Sequence, residues 1–235
     1  MASPYFYFAN LAAMPDAFAL NENSSRHIVQ VLRMQPGADL RLTDGRGMSV
    51  LANIREANKK KCFVSIIEKK IQEPPVRRVQ IALSLLKNTS RFEWFLEKST
   101  ELGVSEIIPL KSAHTEKQQF RMDRMRGILE SALIQSQQVW MPVLHEPQFF
   151  NSYVQQVVAD QKFIAHCDAG EKRKLSDMIR TNCFSQLIMI GPEGDFTEEE
   201  IQFALGHQFV AVELGENRLR SETAAVAAAA VLKLV

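Results

Sequence analysis

The chain has 235 residues, 46% of them hydrophobic, 8% aromatic and 23% charged, with a net charge of +1. That composition excludes a fibre or a disordered polymer and supplies a core for one large domain or two modest ones. No apolar run reaches the roughly 20 residues that span a bilayer.

At the N-terminus, Met1 to Met14 has no basic head before its apolar residues, so it does not read as a secretory signal. Tyr5-Phe6-Tyr7-Phe8 fits a first strand with alternate rings packed inward; the same rings also fit a stacking surface for bases. A short helix is expected from Ser24 or Ser25 as N-cap to about Met34, ended by Pro36-Gly37. Asp39 to Thr43, Met48 to Arg55 and Lys61 to Lys69 read as strands, separated by the turn signals Asp44-Gly45-Arg46-Gly47 and Glu56-Ala57-Asn58. Short strands so closely spaced predict a small barrel or meander. The paired prolines of Glu73-Pro74-Pro75-Val76-Arg77-Arg78 predict an extended connector and a domain boundary.

After the prolines, strand and helix patterns alternate. The apolar runs Val79 to Leu86, Glu106 to Leu110, Lys162 to Cys167, Gln186 to Ile190 and Phe209 to Leu214 read as strands. Helices are expected over Phe92 to Leu102, closed by Gly103, and over Asp123 to Gln138, Asn151 to Asp160, Lys174 to Arg180 and Glu198 to Leu205. Thr197 and Glu200 form a capping box before the last of these, and a final helix runs from about Ser221. Near-continuous apolar strands between helices predict an α/β unit, a parallel sheet covered on both faces.

Charge is unevenly spread. Residues 1–78 carry 12 Lys and Arg against 7 Asp and Glu, and the remainder 16 against 20, which together return the net +1. A basic small part beside an acidic large one fits a domain that meets a polyanion, and fits equally a lysine-rich solvated surface. Arg26, Arg33, Lys59, Lys60 and Lys61 are the candidates for contacts with the phosphates of such a polyanion. Cys62, Cys167 and Cys183 are too scattered for a disulfide framework or a zinc site, which predicts reduced thiols and a cytoplasmic protein. The five histidines show no ligand spacing, so no metal is expected.

Familiar catalytic signatures are absent: no Gly-x-Gly-x-x-Gly, no phosphate-binding Gly-Lys-Ser/Thr loop, no His-Glu-x-x-His, no Gly-x-Ser-x-Gly. Two glycine-bearing loops remain, each leaving an apolar strand and entering a helix. The first is Gly191-Pro192-Glu193-Gly194-Asp195-Phe196-Thr197, the second Gly215-Glu216-Asn217-Arg218-Leu219-Arg220-Ser221-Glu222-Thr223. Ligands of open parallel sheets bind beyond the carboxyl ends of strands, so the pair suggests one small-molecule site built from main chain. Gly191 and Gly194 would let backbone approach a ligand, and Glu193 would cap the next helix. Arg218 and Arg220, beside a helix start, fit an anion or base clamp as well as solvated surface arginines.

These residues resemble the C-terminal signatures of SPOUT-class RNA methyltransferases. The likeness is greatest to the ribosomal RNA small-subunit methyltransferase E family, which methylates N3 of a uridine. It extends over nearly the whole chain: His27-Ile28-x-x-Val31-Leu32-Arg33, Gly37 and Asp39, then Lys87, Glu97-Lys98-x-Thr100-Glu101-Leu102-Gly103-Val104 and Gln135-Ser136, then Leu214-Gly215 and Leu219-Arg220-x-Glu222-Thr223-Ala224. The resemblance implies a PUA-like, RNA-binding β-barrel over residues 1–73 and a SPOUT methyltransferase domain over 74–235, its C-terminal segment threaded into a trefoil knot. The alanine-rich run Ala224 to Ala230 suits such close packing, and also suits any stable helix.

By the same resemblance, Ile190, Gly191, Glu193, Gly194, Leu214, Gly215, Leu219 and Thr223 bind S-adenosyl-L-methionine in a bent form. A homodimer is implied, with the site near the subunit interface, and small-subunit (16S) ribosomal RNA is the substrate, free or as an assembled subunit. Arg220 is the first candidate to stabilise charge on the uracil, Arg218 the second, and Glu222 a candidate proton acceptor, a role water would also fill. Asp195 stands where the family commonly has glycine, Arg218 where it has an aliphatic residue and Gln138 where it often has arginine; Lys111 to Gln119 lacks the usual arginine-containing stretch. The competing readings are a non-catalytic RNA-binding assembly factor of the same fold and a methyltransferase acting at another RNA position.

Overall fold

Between Pro74 and Pro75 the chain passes from one kind of construction to another. The structure, a computed structural model, describes residues 3–116, 119–168, 170–180 and 182–234; Lys117 and Gln118, within the Lys111 to Gln119 stretch, lie outside the described residues. One unit comprises Met1–Pro74 together with Leu133–Met141; the other comprises Pro75–Ala132 and Pro142–Val235.

The first unit is a five-stranded sheet. Its strands are β1 (Tyr5–Tyr7), β2 (Ala17–Ala19), β3 (Asp39–Thr43), β4 (Met48–Glu56) and β5 (Phe63–Ile71), in the order β1-β3-β4-β5-β2. Among the described residues of this sheet only β1 and β3 pair in parallel. Register shifts at Leu51/Ala52 and Ile54/Glu56 bend the long β4–β5 ladder, as bulges do, so the sheet wraps a core of Phe6, Phe18, Leu40, Leu42, Ile54 and Val64. Among the described residues the backbone ladder does not close into a barrel, β1 and β2 ending its path. Side chains bring those ends together, the Phe8 and Phe18 rings lying 5.3 Å apart. Phe6 is buried while Tyr5 and Tyr7 are half-exposed, the alternation of a first strand.

The helix begins earlier than its sequence signals indicate. Asn21, not Ser24 or Ser25, is the N-cap of α1 (Glu22–Arg26), its Oδ1 accepting from Ser24 N at 2.8 Å. Ser25 is buried instead, its Oγ donating to Leu20 O at 3.3 Å and accepting from Cys62 N at 2.8 Å. That internal demand outweighs its value as a cap. A π-helical turn, His27–Val31, follows, and Arg33 then takes φ 53°, ending the helical segment before Met34. Leu133–Met141 adds to this unit through the 45–47 turn. Gly47 N donates to Val139 O at 2.8 Å, Met141 N donates to Gly45 O at 2.9 Å, and the Trp140 ring lies on Gly47 so closely that no Cβ fits there.

The second unit is an eight-stranded sheet in which every pairing among the described residues is parallel. In chain order come β6 (Arg78–Ser84), α2 (Thr89–Glu101), β7 (Glu106–Lys111), α3 (Met122–Gln135), β8 (Val143–Leu144), β9 (Gln148–Phe149) and α4 (Phe150–Gln156). There follow β10 (Gln161–Ala165), β11 (Arg173–Lys174), α5 (Leu175–Met178), β12 (Ser185–Ile190), α6 (Glu198–Gly206), β13 (Val210–Glu213) and α7 (Ser221–Leu234). Strand order is β11-β13-β10-β12-β6-β7-β8, with β9 also on β7. The capping box of α6 forms as its sequence predicts, with Thr197 Oγ1 accepting from Glu200 N and Glu200 Oε2 from Thr197 N. α3 stops at Gln135 rather than Gln138, because Gln137 turns to φ 55°.

Alternate residues of each strand face opposite layers. Ala82, Leu187 and Met189 pack with α4 and α6 through Phe150, Val154, Ile201 and Ala204. On the other face α7 packs against α2, β6 and β12. Its buried residues include Ala225, Ala228, Ala229 and Leu232, spaced at i, i+3, i+4 and i+7. Three alanines in that stripe let the helix backbone approach the sheet closely.

Candidate active site

β13, β10 and β12 are neighbours, and their carboxyl ends lie side by side. Beyond them opens a cavity of about 660 Å³, its wall including Ala165 at the end of β10, Ile190 at the end of β12 and Glu213 at the end of β13. That is within the range of roughly 300–1,000 Å³ typical of small-molecule sites.

The first loop is held by the scaffold. Asp195 N donates to Pro192 O at 3.0 Å, closing a turn that places Asp195 at φ 62°. Asp195 Oδ1 accepts from Phe196 N at 2.8 Å and Oδ2 from Cys167 N at 2.6 Å, so this carboxylate ties the first loop to the loop after β10. A Cβ on Gly191 would lie 2.9 Å from Asp195 Oδ1 and 3.1 Å from its backbone, and one on Gly194 3.2 Å from the His114 Cβ. Both glycines therefore make room for the protein's own chain. Glu193 does not cap α6. Its oxygens accept from Lys87 N at 3.2 and 3.4 Å, just before α2.

The second loop is open. Gly215 sits at φ 142° with nothing within 4 Å of a would-be Cβ, so conformation alone demands glycine there. Arg218 and Arg220 line the cavity, are exposed, and make no ion pair among the described residues. Glu222 is placed differently: it is 7% exposed and does not line the cavity, its Oε1 standing 3.6 Å from Arg91 Nε.

The cavity wall thus gathers Ile190, Gly191, Glu193, Leu214, Gly215, Leu219, Arg218 and Arg220 from the sequence-predicted set and leaves out Gly194, Thr223 and Glu222. It adds Arg91, His166, Cys167 and Lys172, which no sequence motif marked. Lys172 Nζ donates to His166 O at 3.1 Å and Asp168 O at 2.7 Å, closing the loop after β10 on itself. Burial, and then the nearby Lys172, hold the His166 imidazole below its ordinary pKa, so it is neutral near pH 7. Burial, and then the charge of Asp195, push the Cys167 thiol up, away from the reactive thiolate.

In the first unit, Arg26, Arg33, Lys59, Lys60 and Lys61 are all exposed. The bond between Ser25 Oγ and Cys62 N joins the helix carrying Arg26 to the turn carrying the three lysines. Arg26 pairs with Glu22 at 2.6 Å, both ends solvent-exposed.

A family described as the RNA methyltransferase domain matches residues 72–233, and one described as the RNA methyltransferase PUA domain matches residues 20–67. Ribosomal RNA small subunit methyltransferase E of Bacillus subtilis is 28% identical over 221 residues, covering 88% of this chain and 86% of that protein. Its counterpart from Neisseria gonorrhoeae, solved bound to S-adenosyl methionine, superposes with a TM-score of 0.85 at 27% identity, covering 97% of this chain and 96% of the other. A protein from Legionella pneumophila, solved in complex with the bound cofactor SAM, gives 0.89 at 27% identity over 100% and 98% of the two chains. With a PUA-type sheet, a parallel α/β unit and this similarity along nearly its full length, the chain belongs to the ribosomal RNA small subunit methyltransferase E family of RNA methyltransferases.

Proposed function

We propose that the chain transfers a methyl group from S-adenosyl-L-methionine to N3 of a uridine in small-subunit ribosomal RNA. The observation that carries this reading is the cavity beyond β13, β10 and β12, walled by both glycine loops and rimmed by two guanidiniums without ion-pair partners among the described residues. Its volume suits a nucleoside-sized donor, and Ile190, Gly191, Leu214, Gly215 and Leu219 line it, where their main chain would meet a base and a ribose. The bound donor supplies a sulfonium methyl that is already electrophilic.

The protein's task is therefore on the acceptor side. Uracil N3 is a poor nucleophile until its proton leaves, and the charge then spreads onto the two carbonyl oxygens. Arg220, and after it Arg218, are the groups that would hold that charge, as cations at the cavity with no ion-pair partner among the described residues. Glu222 faces Arg91, so as proton acceptor it would first have to give up that partner; solvent reaching the open rim needs no such step.

The same reading makes residues 1–73 an RNA-binding domain, with Arg26, Arg33, Lys59, Lys60 and Lys61 on phosphates, and 74–235 a knotted SPOUT domain. It holds the enzyme to be a cytoplasmic homodimer that works without a metal. The cavity and its open guanidiniums favour turnover over a non-catalytic assembly factor, which needs neither. Mass spectrometry of ribosomal RNA nucleosides from cells with and without the protein tests it. Loss of one N3-methyluridine is expected, and an unchanged profile would remove the assignment.

A further inference from the structure

Arg91, in the first turn of α2, lies within ion-pair distance of both loop regions. Its Nε is 3.6 Å from Glu222 Oε1, in the first turn of α7, and its Nη1 is 4.0 Å from Glu193 Oε1, in the first loop. The two carboxylates depend on it unequally. Glu193 is a quarter exposed and also accepts from Lys87 N. Glu222 is nearly buried, and its Oε2 has no hydrogen-bond partner among the described residues. A buried carboxylate with one orphan oxygen relies on whatever cation faces it.

We propose that Arg91 is a positioning residue of the donor pocket, acting through Glu222. The inference rests on the reading of the cavity as the donor site. Neutralised by Arg91, Glu222 stays inside the protein and anchors the start of α7. Leu219 and Arg220, the last residues of the second loop, are joined directly to that turn. Without Arg91 the carboxylate is a buried charge with no counterion. It must swing toward water, and that moves the first turn of α7 and the loop before it. Because Arg91 also lines the cavity, the competing role is a direct contact with the donor, and the two roles separate experimentally.

The test is calorimetry with S-adenosylhomocysteine on the full chain. Arg91→Ala should weaken binding at least about tenfold, and adding Glu222→Gln should restore it to within about threefold, since the amide carries no charge to strand. Adding Glu193→Gln instead should restore nothing. Wild-type affinity in Arg91→Ala, or a Glu222→Gln double variant as weak as the single, overturns the inference. Should Arg91→Ala alone be insoluble, the double variant decides, with near-wild-type binding supporting the anchor and lost binding pointing to direct contact. No heat from the wild type would instead remove the donor reading itself, and the inference with it.

Discussion

The two ends of the second sheet use charge in opposite ways. At the amino ends of β7 and β10, the carboxylates are matched. Glu106 accepts from His145 Nε2 at 2.8 Å, faces Arg78 Nε at 3.2 Å and accepts from Gln80 at 3.3 Å. Asp160 Oδ2 accepts from Phe184 N, Ser185 N and Ser185 Oγ, and those bonds hold its carboxyl below the usual range. At the carboxyl ends of β10, β12 and β13, Arg218 and Arg220 have no counterion among the described residues. A fold gains nothing from guanidiniums left open beside a cavity, whereas a reaction that develops negative charge does. Substitutions at the carboxyl ends should therefore act on chemistry, and those at the amino ends on stability.

The largest effect is expected from Arg220→Ala. Methyl transfer measured on small-subunit RNA should fall about 10²–10³-fold, in line with the loss of one fixed donor to developing charge. Donor affinity and melting temperature should stay near wild type, because no ion pair among the described residues passes through this guanidinium. Full activity in the variant would break the contrast at its most exposed point.

Gly191→Ala should come next, and should confuse the two ends by costing both stability and binding. Its Cβ would press on Asp195, whose carboxylate holds the loop after β10. Overpacking of this kind costs about 1–3 kcal/mol, readable as a lowered denaturation midpoint together with weaker donor binding. A third substitution lies in the other unit. Replacing Lys59, Lys60 and Lys61 together by alanine should reduce the slope of RNA affinity against salt by up to about 3, roughly one for each phosphate deprived of its lysine. Donor affinity measured without RNA should not change.

Much of this site is legible in the sequence because it is built from strand ends. An apolar run followed by Gly-Pro-Glu-Gly, and another followed by Gly-Glu-Asn-Arg, announce where backbone turns out of a parallel sheet, and the cavity lies there. Reasons are less legible than places. Gly191 and Gly194 are small because Asp195 and His114 back onto them, a proximity that spacing does not encode. Arg91, His166, Cys167 and Lys172 carry no signal because strand order decides which loops meet, and β10 comes to lie between β12 and β13 only in the folded sheet. The end of the Leu133–Met141 segment does not read as part of the first unit because its partners, residues 45–47, lie far back in the chain. The two-residue strands β8, β9 and β11 are too short to show a period.

The smallest expected effect belongs to the matched end of the sheet. The hydrogen bond from His145, and after it the charge of Arg78, hold the half-buried Glu106 below its ordinary value of 4.5. A carboxylate with a lowered folded-state pKa stabilises the fold above its unfolded pKa, and that contribution drains away as pH falls through the folded value. His145→Ala removes the largest of these holds, so Glu106 should titrate at higher pH and acid unfolding should begin earlier. Because the His145 ring is 39% exposed, solvent screens the pair, and the loss near pH 7 should be less than about 1 kcal/mol. Acid unfolding followed by circular dichroism, beside methyl transfer per folded molecule, checks both halves. The unfolding midpoint should move up in pH while turnover stays the same, and a fall in turnover without a stability change would show that the two ends of the sheet are not separate in function.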